Sequence, residues 1–162
     1  MKDKTSATRA MPPLSINPAG CNCLALRQAT RHVTQIYDQF LAPSGLRATQ
    51  YSILARLQRK GPMTINALAA DLVMDRTTLG RNILPLERDG LIAVGPGKSD
   101  RRSKELRLTG EGIARFRAAL KAWQDAQERF EAAFGTKRAK ELRALLQQVV
   151  TSEAEVDQRL YA

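Results

Sequence analysis

Between Thr64 and Thr109 the apolar residues keep first one period and then another, and that order leaves few folds open. In Thr64–Val73, Ile65, Leu68, Ala69 and Leu72 form a helical stripe, and Thr64 is placed to cap it. After almost no gap, "MDRTTLGRNILPLERDG" begins a second stripe. Leu79, Ile83 and Leu86 share one face, Asp75 is placed as the N-cap, and Gly90 as the left-handed residue past the end. Two helices joined by a tight turn, the first with small alanines for close packing, predict a helix-turn-helix. The period then falls to two. Leu91–Val94, a glycine-rich turn and Glu105–Thr109 predict a β-hairpin, with Leu106 and Leu108 alternating against Glu105, Arg107 and Thr109. A hairpin appended to a helix-turn-helix is a wing, and the combination is far more specific than either part.

The flanks read as helix. Leu26, Val33, Ile36, Tyr37 and Phe40 recur at helical spacing from about Cys21 to Leu41, and Pro43 and Gly45 end that run. A second helix is predicted over Thr49–Lys60, capped by Thr49 and stopped by Gly61-Pro62. Thr109 caps a long helix whose Ile113, Phe116, Leu120, Trp123, Phe130 and Phe134 form one stripe up to Gly135. A last helix, Thr136–Leu160, carries Leu142, Leu145, Leu146, Val149, Val156 and Leu160. Such stripes are buried in a bundle or in a dimer interface. Residues 1–19, with Pro12, Pro13 and Pro18, predict a flexible tail. The fold class is mainly α with a small β-hairpin wing.

Charge narrows the function. The chain carries 26 Lys and Arg against 16 acids, a net charge of +10. Such an excess attracts polyanions, most often nucleic acid. Residues 1–60 and 76–107 hold the surplus, while 110–162 are nearly balanced. On the predicted helix 75–89, Thr77, Thr78, Arg81, Pro85 and Arg88 lie opposite the apolar stripe, flanked by Arg76 and Asn82. Thr, Arg and Asn are side chains that read base edges or grip phosphate, and no acid precedes Glu87 on this face. An enzyme is disfavoured: there is no glycine-rich phosphate loop, no nucleophile elbow and a single histidine. No cofactor is expected, and no metal, since one histidine and a Cys-x-Cys supply too few ligands. No run approaches the roughly 18–20 apolar residues of a membrane span, and the N-terminus lacks the apolar core of a secretory signal. The expected location is the cytoplasm, with both cysteines reduced.

"TINALAADLVMDRTTLGRNILPLERDGLI" followed by "SDRRSKELRLTGEG" resembles the MarR family of bacterial transcription regulators. The resemblance rests on Leu68-Ala69, Thr77-Thr78, the Leu86-Glu87-x-x-Gly90-Leu91-Ile92 helix end, and Asp100-x-Arg102 before Leu106-x-Leu108-Thr109. "LRATQYSILARL" upstream is similar to the family's second helix. The resemblance implies a homodimer in which winged helix-turn-helix lobes hang from a helical dimerisation domain. Residues 1–19 would be tail, 20–45 the first helix of the dimerisation domain, 46–110 the DNA-binding lobe, and 111–162 the remaining dimerisation helices. It implies a double-stranded operator read by helix 75–89 in the major groove and by wing 95–105 in the minor groove. The base-reading and phosphate-gripping set is then Arg76, Thr77, Thr78, Arg81 and Asn82 with the wing residues. Arg102 would reach the minor groove, Asp100 would orient it, and Lys98, Arg101 and Lys104 would hold phosphate. The family often has another acid-plus-arginine pair just ahead of this motif, where this chain has Gly97, Lys98 and Ser99.

The resemblance also implies an effector, either a small aromatic or anionic ligand between the lobes or oxidation of a cysteine. His32, Tyr37, Arg47 and Tyr51 are the ligand candidates, although His32 better suits a polar position facing a partner helix. Cys21 and Cys23 stand at the start of the first helix, where the helix dipole stabilises thiolate. A bond between them would be strained, so an intersubunit disulfide or a sulfenic acid fits better. The plain alternative is two small helix residues. The rival function is a sequence-independent architectural DNA binder.

Overall fold

The computed structural model describes residues 20–97 and 103–152. The expected tail over 1–19 lies outside the described residues, as does the expected extension of the last helix to Leu160. Along the chain run α1 (Asn22–Leu41), a 3-10 turn (Ala42–Ser44), α2 (Ala48–Lys60), β1 (Met63–Thr64) and α3 (Ile65–Asp71). There follow α4 (Arg76–Arg88), β2 (Ile92–Pro96), β3 (Lys104–Leu108), α5 (Gly110–Phe134) and α6 (Thr136–Thr151). The fold is mainly helical with a small antiparallel sheet of order β1-β3-β2.

The expected caps at Thr64, Asp75 and Thr109 are present. Thr64 Oγ1 accepts from the Ala67 N–H at 3.1 Å, Asp75 Oδ1 from Thr78 at 2.7 Å, and Thr109 Oγ1 from Gly112 at 3.0 Å. Gly90 has φ 69°, and the Leu91 N–H closes back onto the Leu86 carbonyl at 2.8 Å. The expected cap of α2 at Thr49 is displaced. The helix starts at Ala48, whose N–H donates to Asp38 Oδ1 of α1 at 2.7 Å, while the Arg47 N–H donates to Gln50 Oε1 at 2.9 Å. A carboxylate from another helix does the capping, which sequence neighbours cannot reveal.

α3 stops at Asp71 and does not run to Val73. Val73 takes φ 52°, and Met74 N–H returns to the Ala69 carbonyl at 2.9 Å, so a left-handed residue makes the tight turn into α4. In the hairpin, Ile92 pairs with Leu108, Val94 with Leu106 and Pro96 with Lys104. β1 adds a third strand through Met63 opposite Leu106. Two residues are too short to show a period in sequence.

The core lies in the winged lobe. Ile53, Leu54, Leu68, Leu79, Leu86, Leu91 and Leu106 are fully buried there, and Leu41 at the end of α1 packs into the same core. Tyr51 of α2 stacks on Phe116 and Trp123 of α5, with centroids 5.1 and 5.9 Å apart, which plants the base of α5 on the lobe. The expected α5 stripe is only partly buried. The fully covered line is Gly112, Ala119 and Ala126, seven residues apart, while Leu120 is exposed. Small residues let the neighbouring elements approach closely, so the large apolar ones stand to the side. Tyr37 of α1 hydrogen-bonds Gln127 of α5, Gln127 donates to Glu131 at 3.0 Å, and Arg143 of α6 donates to Glu131 at 2.9 Å. This chain of polar contacts joins the three helices. Among the described residues no helix is long and apolar enough to cross a membrane.

Candidate nucleic-acid interface

α4 divides cleanly. Leu79, Ile83 and Leu86 are buried against the lobe. Arg76, Thr77, Thr78 and Arg81 are exposed on the other side. The side-chain and backbone N–H and O–H groups of Thr78 hold the Asp75 carboxyl below its usual range, so the cap stays ionised at neutral pH. Asn82 is partly committed: its Nδ2 donates to the Thr78 carbonyl at 2.8 Å. Pro85 sits half-buried within the helix, which continues to Arg88, and its carbonyl accepts from Asp89 N–H at 2.9 Å. Two residues on this side went unremarked in the sequence. Leu84 is 64% exposed, and Gly80 leaves a gap in the helix surface between Thr77 and Arg81. Leu84 is an apolar residue off the buried stripe, and that was the signal that could have found it.

The hairpin rises beside this face. The Gly97 N–H donates to the Ser103 carbonyl at 2.8 Å and pinches the ladder shut. Arg107 braces it, donating to the Pro96 carbonyl at 3.2 Å and to Glu105 at 3.4 Å. Lys104 is exposed at the end of β3. Lys98, Asp100, Arg101 and Arg102 lie outside the described residues. A groove of about 310 Å³ runs between the start of α4 and the hairpin, touching Asn66, Arg76, Ser103 and Lys104. The described part of this surface therefore offers the exposed cations Arg76, Arg81 and Lys104, with Arg88 paired to Asp89 at the end of the helix, two threonine hydroxyls and no catalytic constellation. Among the described residues no group of three His, Cys, Asp or Glu could hold a metal ion.

The four expected ligand-binding residues are not brought into one cavity. His32 is exposed on α1. Arg47 is exposed and pairs with Asp38 at 3.3 Å. Tyr37 is taken up by Gln127, and burial pushes its hydroxyl pKa up. Tyr51 lines a cavity of about 400 Å³ shared with Arg56, Arg59, Leu72 and Trp123. Burial raises its pKa also, so it stays a neutral phenol. Arg56 and Arg59 follow Ser52 and Ala55 on one face of α2 at helical spacing, a signal present in the sequence. Cys21 and Cys23 are free and exposed. Cys21 is itself the N-cap of α1, its Sγ accepting from Leu24 N–H at 3.4 Å.

A family model described as "MarR family" matches residues 46–104. The HTH-type transcriptional regulator PecS of Dickeya dadantii is 28% identical over 120 residues, 72% of either chain. The crystal structure of the M. tuberculosis transcriptional regulator MosR superposes with a TM-score of 0.69 at 36% identity, covering 80% of this chain and 95% of that one. The transcriptional repressor CouR, solved on a 23-mer DNA duplex, gives a TM-score of 0.72 at 26% identity over 81% of this chain and 93% of its own. CouR from Rhodococcus jostii RHA1 has also been solved with p-coumaroyl-CoA.

Proposed function

Since the chain belongs to the MarR family of transcriptional regulators, we propose that it is a cytoplasmic homodimer that represses from a pseudo-palindromic operator. Residues 46–110 are the DNA-binding lobe, and 20–45 with 111–162 the dimerisation part. α4 enters the major groove with Arg76, Thr77, Thr78, Arg81 and Asn82. The wing enters the adjoining minor groove, where Arg102 reads narrow A·T-rich sequence, Asp100 orients it, and Lys98, Arg101 and Lys104 hold phosphate. The observation that carries this reading is the acid-free, exposed Arg-Thr-Thr-Arg face of α4 beside a basic hairpin. The likeness to CouR on its duplex supports it. The test is a hydroxyl-radical footprint on the chain's own promoter region. Two protected half-sites about 10 base pairs apart are expected. Uniform protection without half-sites would favour an architectural binder.

Regulation is by an effector, and the chain acts without catalysis. The cavity at Tyr51, Trp123, Arg56 and Arg59 suits a planar anion, its ring on the aromatics and its charge on the arginines. That chemistry is in keeping with the p-coumaroyl-CoA bound by CouR. The exposed thiols of Cys21 and Cys23 support the redox alternative. DNA release by aromatic carboxylates that persists in a Cys21→Ser/Cys23→Ser variant selects the ligand. Release by peroxide that this variant abolishes selects the thiols.

A further inference from the structure

Neither the backbone nor the packing of α4 requires a glycine at position 80. It lies in the middle of the helix, where glycine is a poorer helix former than alanine. It is not among the positive-φ glycines, and a Cβ added to it meets nothing within 4 Å. Gly80 and the exposed Leu84 form one wall of a cleft of about 630 Å³. Gly95, Pro96, Ser103 and Lys104 of the hairpin form the other. Ser103 and Lys104 also line the smaller groove that leads to Arg76, so the cleft has a basic end. Glu87 stands three turns further along α4 and marks the opposite end as unfavourable to phosphate.

We propose that this cleft seats one sugar–phosphate strand of the duplex, and that Gly80 is bare so that the strand reaches the helix backbone. The inference rests on the reading of α4 as the major-groove helix. Major and minor grooves of a duplex are separated by a single backbone strand. A duplex held by α4 on one side and the hairpin on the other therefore runs one strand between them. Leu84 and Pro96 offer apolar surface to the deoxyriboses, and Arg76 and Lys104 offer charge to the phosphates. A bare glycine is the residue type that allows close backbone approach.

The test uses the full-length protein and a duplex that the wild type selects from a random-sequence pool. Gly80→Ala should melt roughly 2–4 °C higher at equal protein concentration, because alanine favours the helix. It should nevertheless bind the duplex at least about tenfold more weakly, and Gly80→Leu more weakly still. Binding by both variants within about twofold of wild type would overturn the inference. Arg81→Ala, run in parallel, separates the two levels. If it weakens binding while the Gly80 variants do not, only the seat for the strand is wrong. If it too binds as wild type, the reading of α4 itself fails.

Discussion

Gly112 is fixed by a neighbour that is distant in sequence. A Cβ there would lie 1.9 Å from the Leu91 carbonyl oxygen and 3.2 Å from Leu108 Cδ2. The first turn of α5 therefore presses directly on the start of β2, and backbone cannot give way as a side-chain tip would. Gly112→Ala is expected to cost about 2 kcal/mol or more in urea denaturation, an overpacking penalty without a rotamer escape. In the sequence, "TGEG" reads only as a helix start, because the contact partner, Leu91, is distant along the chain. Val73 is the converse case. It is 69% exposed, with φ 52°, a backbone region that β-branched residues avoid. Val73→Gly removes little packing and relieves that strain, so a gain of about 1 kcal/mol is expected, net of the added freedom of the unfolded chain.

At the scale of elements, legibility followed the locality of the cause. α4 was legible to within a residue at its start, because Asp75, the Leu79-Ile83-Leu86 stripe and Gly90 all act within the helix itself. The hairpin was legible from its alternation. α2's cap, β1 and the buried line of α5 were not, because Asp38, Leu106 and the elements packed on α5 belong to other parts of the chain. Asp71 of α3 ties that helix to two basic residues of α2. Lys60 hydrogen-bonds Asp71, and Arg56 Nε stands 3.2 Å from it. The hydrogen bond from Lys60, aided by the charges of Arg56, Lys60 and Arg59, holds the Asp71 carboxyl below its usual range against the opposing effect of partial burial. A carboxyl lowered in the folded state adds stability above its unfolded pKa and loses it as pH falls through the folded value. The wild type should therefore lose stability below about pH 4, and Asp71→Asn should show a shallower acid limb. Urea denaturation at neutral and acid pH measures the difference, which should narrow on acidification.

The whole molecule leaves much apolar surface uncovered. Leu145, Val149 and Val150 of α6 are each more than half exposed, and Leu24 and Leu26 of α1 are exposed as well. Val73 and Leu84 are the exposed large apolar residues of the winged lobe, and the others, on α1, α5 and α6, fall on the helices proposed for dimerisation. If those helices form the proposed dimer, the chain sediments as a dimer in analytical ultracentrifugation, and Leu145→Glu with Val149→Glu should make it a monomer while leaving the helical circular dichroism of the lobe in place. The same variant should lose most of its operator affinity, since each half-site is then bound alone. In the candidate interface, the sequence pointed to the exposed α4 residues through residue type and face, but it gave no sign of Gly80's open surroundings or of the cavity at Tyr51. Those depend on how α4 meets the hairpin and how α2 meets α5. The central claim is that the exposed face of α4 reads sequence. It is tested most directly by the ratio of affinities for a selected duplex and for a scrambled duplex of equal length and composition, at physiological salt. A ratio of about 10³ or more is expected for the wild type, with a collapse in Arg81→Ala. Equal affinity of the wild type for the two duplexes would contradict it.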